Sequence, residues 1–160
     1  MSGSESLFLL ARPDAVGLSR GLATAALRRW GLERLTDDAQ MVVSELVSNA
    51  IKAAPGWAIK VTVSRGQECV LLEVQDRAPG RPELNDAPPG AESGRGLRIV
   101  DALAARWGCY PTRTAKIVWA QVGDGLPQRA RQQVTPYAPA VRADPAVLHR
   151  VHDKLKALLP

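Results

Sequence analysis

The sequence predicts an α/β two-layer sandwich: a mixed β-sheet covered on one face by helices, with one further helix at the C-terminal end. Three observations predict it. Segments of period 2 and segments of helical period follow one another in the order β-α-α-β-β-loop-α-β-β. The helical segments carry a broad apolar stripe on one side rather than apolar residues all round, as helices laid on a sheet do. The chain has 160 residues of 46% apolar composition, enough for one domain with its own core.

Each element has a local reason. Ser6 to Ala11 is a short apolar run closed by Arg12-Pro13, which reads as an edge strand. From about Asp14 to Trp30 an Ala/Leu-rich stretch follows, with Val16, Leu22, Ala26 and Trp30 at helical spacing and Gly31 as its stop. A second helix opens at Thr36 as N-cap, with Asp37 and Asp38 in the first turn, where the helix dipole favours carboxylates. It ends at Ala54, before Pro55-Gly56. Ile59, Val61 and Val63 then alternate with Lys60, Thr62 and Ser64. Val70, Leu72 and Val74 repeat the pattern, and Arg65 to Glu68 form the hairpin turn between them.

After Asp76 the stretch "DRAPGRPELNDAPPGAESGRG" has no periodicity, which inside a compact domain marks a functional loop. A helix from Gly96 to Ala105 follows. Strands near Arg106 to Tyr110 and Ala115 to Val122 come next, joined by a Pro-Thr-Arg-Thr turn. Residues 123–143 have the composition of a linker. Asp144-Pro145 then starts a final amphipathic helix over 144–160, carrying Val147, Leu148, Val151, Leu155 and Leu158. The organisation is therefore a domain over 1–122, a Pro-containing linker, and a C-terminal helix that folds back as extra core or serves as a dimer arm.

Bulk properties narrow the function classes. The net charge is +5, but the basic residues are interleaved with acids and form no one-sided stripe with aromatics between. The expectation is a solvated surface or an anionic small ligand, not direct nucleic-acid binding. No apolar run reaches bilayer length, and no basic segment precedes an apolar one at the N-terminus, so a cytoplasmic protein without a membrane anchor is expected. The two cysteines, Cys69 and Cys109, lie in apolar runs without zinc-ligand spacing and read as reduced, buried thiols.

Three short stretches carry residues suited to chemistry. In "SELVSNAIKA" Glu45 and Asn49 stand one turn apart, at the shoulder of a stripe formed by Val42, Val43, Leu46, Val47, Ala50, Ile51 and Ala54. An Asn carbonyl is a hard oxygen that suits Mg²⁺, and a carboxylate one turn earlier suits a general base. In "VQDRAPGRP" Asp76 ends an apolar strand, where it can accept hydrogen bonds in a pocket or cap a turn. In "ESGRGLRIV" Gly94 and Gly96 flank Arg95 just before a helix. That arrangement lets backbone N–H groups approach an anion, or makes a tight turn, and it lacks the Walker spacing.

Together and in this order, the three stretches resemble the GHKL ATP-binding superfamily, in particular its small bacterial anti-sigma-factor/serine kinase branch. "ELVSNAIKA" is similar to the N-box, "DRAPG" to the first glycine box and "GRGLRIVDALAARWG" to the second, and the resemblance spans about Leu7 to Val122. It implies the GHKL ATPase/kinase fold and a cleft for ATP with Mg²⁺. By that resemblance Asn49 is the Mg²⁺ ligand and Glu45 the catalytic base. Asp76 recognises the adenine amino group, with Ala78 and Gly80 beside the base. Gly94, Arg95 and Gly96 meet the phosphates under a Pro-rich lid.

The chain departs from the family at Ala78, where the first glycine of the box stands. It departs again at Ala53, in place of a frequent His, and at Ile117, in place of a Thr whose hydroxyl supports the nucleotide. Two readings follow from the resemblance. One is an ATP-dependent serine/threonine protein kinase acting on a STAS-type anti-anti-sigma partner, with a sigma factor as the other partner and a homodimer compatible. The other is a degenerate GHKL module that grips partner proteins with weak or absent nucleotide binding.

Overall fold

The computed structural model describes residues 3–78 and 95–125. The linker and C-terminal helix expected over 123–160 lie outside them, apart from Gly123, Asp124 and Gly125. The described chain forms β1 (Ser4–Leu10), α1 (Asp14–Trp30), a 3₁₀ turn (Glu33–Leu35), α2 (Thr36–Ala53), β2 (Ala58–Arg65), β3 (Val70–Asp76), α3 (Arg95–Leu103), β4 (Arg106–Pro111) and β5 (Lys116–Val122).

α1 forms where the sequence places it. Ala15, Leu18, Leu22, Ala23, Ala26 and Leu27 make its buried face, and Val16 and Trp30 pack at the margin. Its last carbonyls, of Leu27 and Arg28, are closed by the backbone of the next turn, with Gly31 at φ 70°. That left-handed conformation is one that glycine adopts without a Cβ penalty.

α2 begins differently from expectation. Leu32 and Leu35 are buried and wind a 3₁₀ turn directly into the helix, so Thr36 is already helical at φ −61°, ψ −47°. Leu35, not Thr36, occupies the N-cap position, and no side chain caps the helix. The expected stripe is otherwise in place: Val42, Val43, Leu46, Val47 and Ala50 are at most 2% exposed, Ala54 is buried, and Ile51 lies partly buried beside them.

The strands form one five-stranded sheet in the order β1-β2-β3-β5-β4, with β1 at an edge as expected. Every hydrogen-bonded pair in it is antiparallel, where a mixed sheet was expected. The reason is topological. β2–β3 and β4–β5 are joined by turns, and β1–β2 by a pair of helices that returns the chain reversed. The β3–α3–β4 connection does bring the chain back in the same direction, but β5 is inserted between the two strands.

Leu9, Ile59, Val61, Val63, Val70, Leu72, Val74, Val118, Ala120 and Val122 face the helices and meet the stripes of α1 and α2 in one core. Trp107 ties α3 to β4 by donating its indole N–H to Asp101 Oδ1 at 2.9 Å. Next to it, a Cβ on Gly108 would press on the Trp119 ring at 3.1 Å, so the Trp-Gly pair after α3 serves packing. Cys69 is buried, while Cys109 is only half-buried, and neither is in a disulfide. Among the described residues no helix is long and apolar enough to cross a membrane.

Candidate functional site

The sheet and helices bring the three stretches to the neighbourhood of one helix, α2. Glu45 and Asn49 are half-buried at the shoulder of its stripe, as helical spacing predicts. α3 packs against α2, and its second residue, Gly96, lies directly on that pair. A Cβ at Gly96 would collide with Glu45 Oε2 and come within 3.5 Å of Glu45 Cδ and 3.6 Å of Asn49 Oδ1. Gly96 therefore lets the α3 N-terminus approach a carboxylate and a hard carbonyl oxygen at once. Both are polar groups with chemistry to offer, and neither is needed by the core.

Asp76 lies at the end of β3, a strand on which α2 packs. Strand alternation carries the core stripe Val70, Leu72, Val74 forward onto Asp76, so its carboxylate points to the helix face and is 3% exposed. Its Oδ1 accepts the Ala78 backbone N–H at 2.8 Å. The Lys116 ammonium stands 3.6 Å from the same oxygen, across the β3–β5 register that pairs Asp76 with Lys116. Burial raises the Asp76 pKa above the ordinary carboxylate value, and the Ala78 amide and the Lys116 charge pull it part of the way back.

Two of the three departures from the family pattern, Ala78 and Ile117, read differently with the geometry in view. Ala78 donates its N–H to Asp76 as any non-proline residue could, and no described non-glycine residue has a positive φ. An alanine at this position carries no backbone strain. Ile117 follows Lys116 on β5 and pairs with Gln75, so it lies on the sheet face turned away from the helices and from Asp76. A hydroxyl at position 117 would not reach the Asp76 carboxylate.

Gly80 and Gly94 lie outside the described residues, as does the Pro-rich stretch between them, and of Arg95 only the backbone is described. Sequence reasoning missed Lys116. The signal was present: counted by twos from Val122 through Ala120 and Val118, Lys116 falls on the inward face, where a lysine is seldom found without a partner. Among the described residues no group of three or more His, Cys, Asp or Glu could cage a metal. A divalent ion at Asn49 Oδ1 would take phosphate and water among its ligands, the arrangement Mg²⁺ prefers.

Residues 9–121 match the family described as the histidine kinase-like ATPase domain, a span that runs from β1 to the end of β5 and includes Glu45, Asn49, Asp76 and Gly96. A search of curated proteins found no match. By that span the chain belongs to the histidine kinase-like ATPase domain family, within the GHKL superfamily.

Proposed function

We propose that this chain is an ATP-binding regulator of the anti-sigma-factor type, which phosphorylates a serine or threonine on a STAS-type anti-anti-sigma partner and also grips a sigma factor. The observation that carries the reading is the seat of Gly96 on Glu45 and Asn49, which joins the N-box to the second glycine box. A glycine there keeps a side chain out of the space beside a carboxylate and an Asn carbonyl, where the start of α3 sits on α2. The start of a helix, with its unpaired N–H groups, then faces that space and favours phosphate.

In this reading Asp76 accepts a hydrogen bond from the exocyclic amino group of adenine, with Ala78 and Gly80 bordering the base. Gly94, Arg95 and Gly96 hold the phosphates. Asn49 Oδ1 would ligate Mg²⁺, which when bound neutralises charge on the triphosphate. The partner's hydroxyl oxygen attacks the γ-phosphorus, the bond to the β–γ bridging oxygen breaks, and ADP departs. Glu45 takes the hydroxyl proton, a contribution of typically 10²–10⁴-fold. The rival reading, a degenerate partner-gripping module, draws on Ala78 and Ile117. Neither residue strains or blocks the Asp76 carboxylate.

The test pairs calorimetry with Mg-ATP and transfer of labelled phosphate to a candidate STAS partner. Wild type should bind ATP and transfer phosphate, and Glu45→Ala should bind ATP nearly as well but lose most transfer. Partner binding without nucleotide binding or transfer, at saturating Mg-ATP, would overturn the kinase reading and leave the module.

A further inference from the structure

The Asp76–Lys116 pair is built in a way that a structural ion pair does not require. Both described partners of Asp76, the Ala78 N–H and the Lys116 ammonium, act on the single oxygen Oδ1. Oδ2 takes part in neither contact. The lysine side chain is 13% exposed, and its stem prolongs the buried stripe of Val118 and Ala120 towards Asp76. An ammonium rarely leaves water to this extent without a charge to meet.

We propose that Lys116 is a positioning residue for base recognition: it pins Oδ1 of Asp76, leaving Oδ2 as a fixed anionic acceptor that selects a purine with an exocyclic amino group over one with a carbonyl there. The proposal rests on the reading of Asp76 given above and adds the residue that enforces its specificity. Two effects combine. Two contacts on one oxygen restrict the rotation of the carboxylate about its Cβ–Cγ bond. The positive charge also opposes the burial that favours the neutral acid, and a neutral acid is both a weaker acceptor and a donor to a carbonyl.

Other charged groups on the packed elements do not compete for this role. Lys60 of β2 stands opposite Gln75, on the other face of the sheet. On α2, Glu45 is at the Gly96 contact, Lys52 is exposed, and Asp37 and Asp38 lie in its first turn. Arg77, next in the chain, is exposed. Among the described charged side chains, Lys116 is the one that shifts the Asp76 titration.

The experiment titrates wild type, Lys116→Met, Lys116→Gln and Lys116→Arg with Mg²⁺ plus ATP, ITP (the 6-carbonyl analogue) or inorganic triphosphate, across pH. Wild type should prefer ATP to ITP. Lys116→Met should lose about tenfold in ATP affinity at neutral pH, the scale of one weakened hydrogen bond, and narrow the ATP/ITP ratio. Triphosphate affinity should be unchanged.

The sign of the pH effect follows from the charge. Without the ammonium, Asp76 stays protonated to higher pH, so the ATP affinity of Lys116→Met recovers as pH rises, while Lys116→Arg follows wild type. If Lys116→Met unfolds, Lys116→Gln, polar but without the charge, should show the same pH displacement. A wild-type pH profile and ATP/ITP ratio in the folded Met or Gln variant would overturn the proposal. Wild type that binds triphosphate but neither nucleoside triphosphate better would overturn the reading of Asp76 itself.

Discussion

Gly96→Ala adds one methyl group where α3 meets α2, and its consequences can be worked from the contacts there. The methyl collides with Glu45 Oε2, while Glu45 Cδ at 3.5 Å and Asn49 Oδ1 at 3.6 Å remain at ordinary contact distance. Only the carboxylate oxygen must move, by about 1 Å, to regain van der Waals separation. Glu45 is half-buried and its terminal torsion is soft, so the displacement costs about 0.5–1.5 kcal/mol. Alanine returns up to ~1 kcal/mol in helix propensity within α3. The two nearly cancel, and the melting temperature should hardly change. Catalysis should not be so forgiving, since misplacing a reacting group by about 1 Å can cost on the order of 10²-fold. Phosphate transfer to a STAS-type partner, measured beside a thermal melt on the same protein, provides the assay. A folded Gly96→Ala variant that transfers phosphate at the wild-type rate would refute the placement of Glu45 at the reacting hydroxyl.

Asp76→Asn should weaken ATP by about 1–3 kcal/mol relative to inorganic triphosphate, because it alters the acceptor for the adenine amino group in a desolvated pocket; equal losses for the two ligands would reduce Asp76 to a turn cap. The same variant tests linkage. Burial raises the Asp76 pKa in the folded state, so its contribution to stability is fully present below the unfolded pKa and is lost as pH rises through the folded one. The melting temperature of Asp76→Asn should therefore gain on wild type between acid and neutral pH, and a constant difference across that range would contradict it. Ile117→Thr should leave nucleotide affinity unchanged in calorimetry, because the side chain faces away from Asp76. Leu72→Ala, at 0% exposure in the middle of β3, should cost about 2–5 kcal/mol in denaturant unfolding, and a loss below 1 kcal/mol would mean that the core is not closed around it.

Periodicity made most of this fold legible. The stripe of α2 and the alternation of β2, β3 and β5 each repeat several times, so local signal accumulates and the core positions Val47, Val61, Leu72 and Val118 follow from it. Strand direction was not legible in the same way. It depends on which strands become neighbours, and the insertion of β5 between β3 and β4 leaves no local trace. The start of α2 was misread for a related reason. Thr36 followed by Asp37 and Asp38 is a good capping signature, but the burial of Leu32 and Leu35 winds the chain into helix before Thr36 is reached. Tertiary packing overrode a local preference worth about 1 kcal/mol.

The candidate site obeys a rule that the sequence does contain, although it is faint because each instance occurs once. Where an apolar period runs out, the next residue on the same face is still directed inward, and a polar residue there has to be satisfied by something other than the core. Val70, Leu72 and Val74 end in Asp76; Val122, Ala120 and Val118 end in Lys116. The register that aligns the two hydrophobic runs also aligns their polar ends, so packing of the core delivers a carboxylate and an ammonium to one place. Glu45 and Asn49 follow the same logic on a helix, at the lateral margin of a stripe instead of its end. Gly96 completes it by omitting a side chain where one would cover them. The energy that fixes these groups comes from the apolar runs behind them, which is why three stretches with weak individual signals gain meaning once their apolar neighbours are paired.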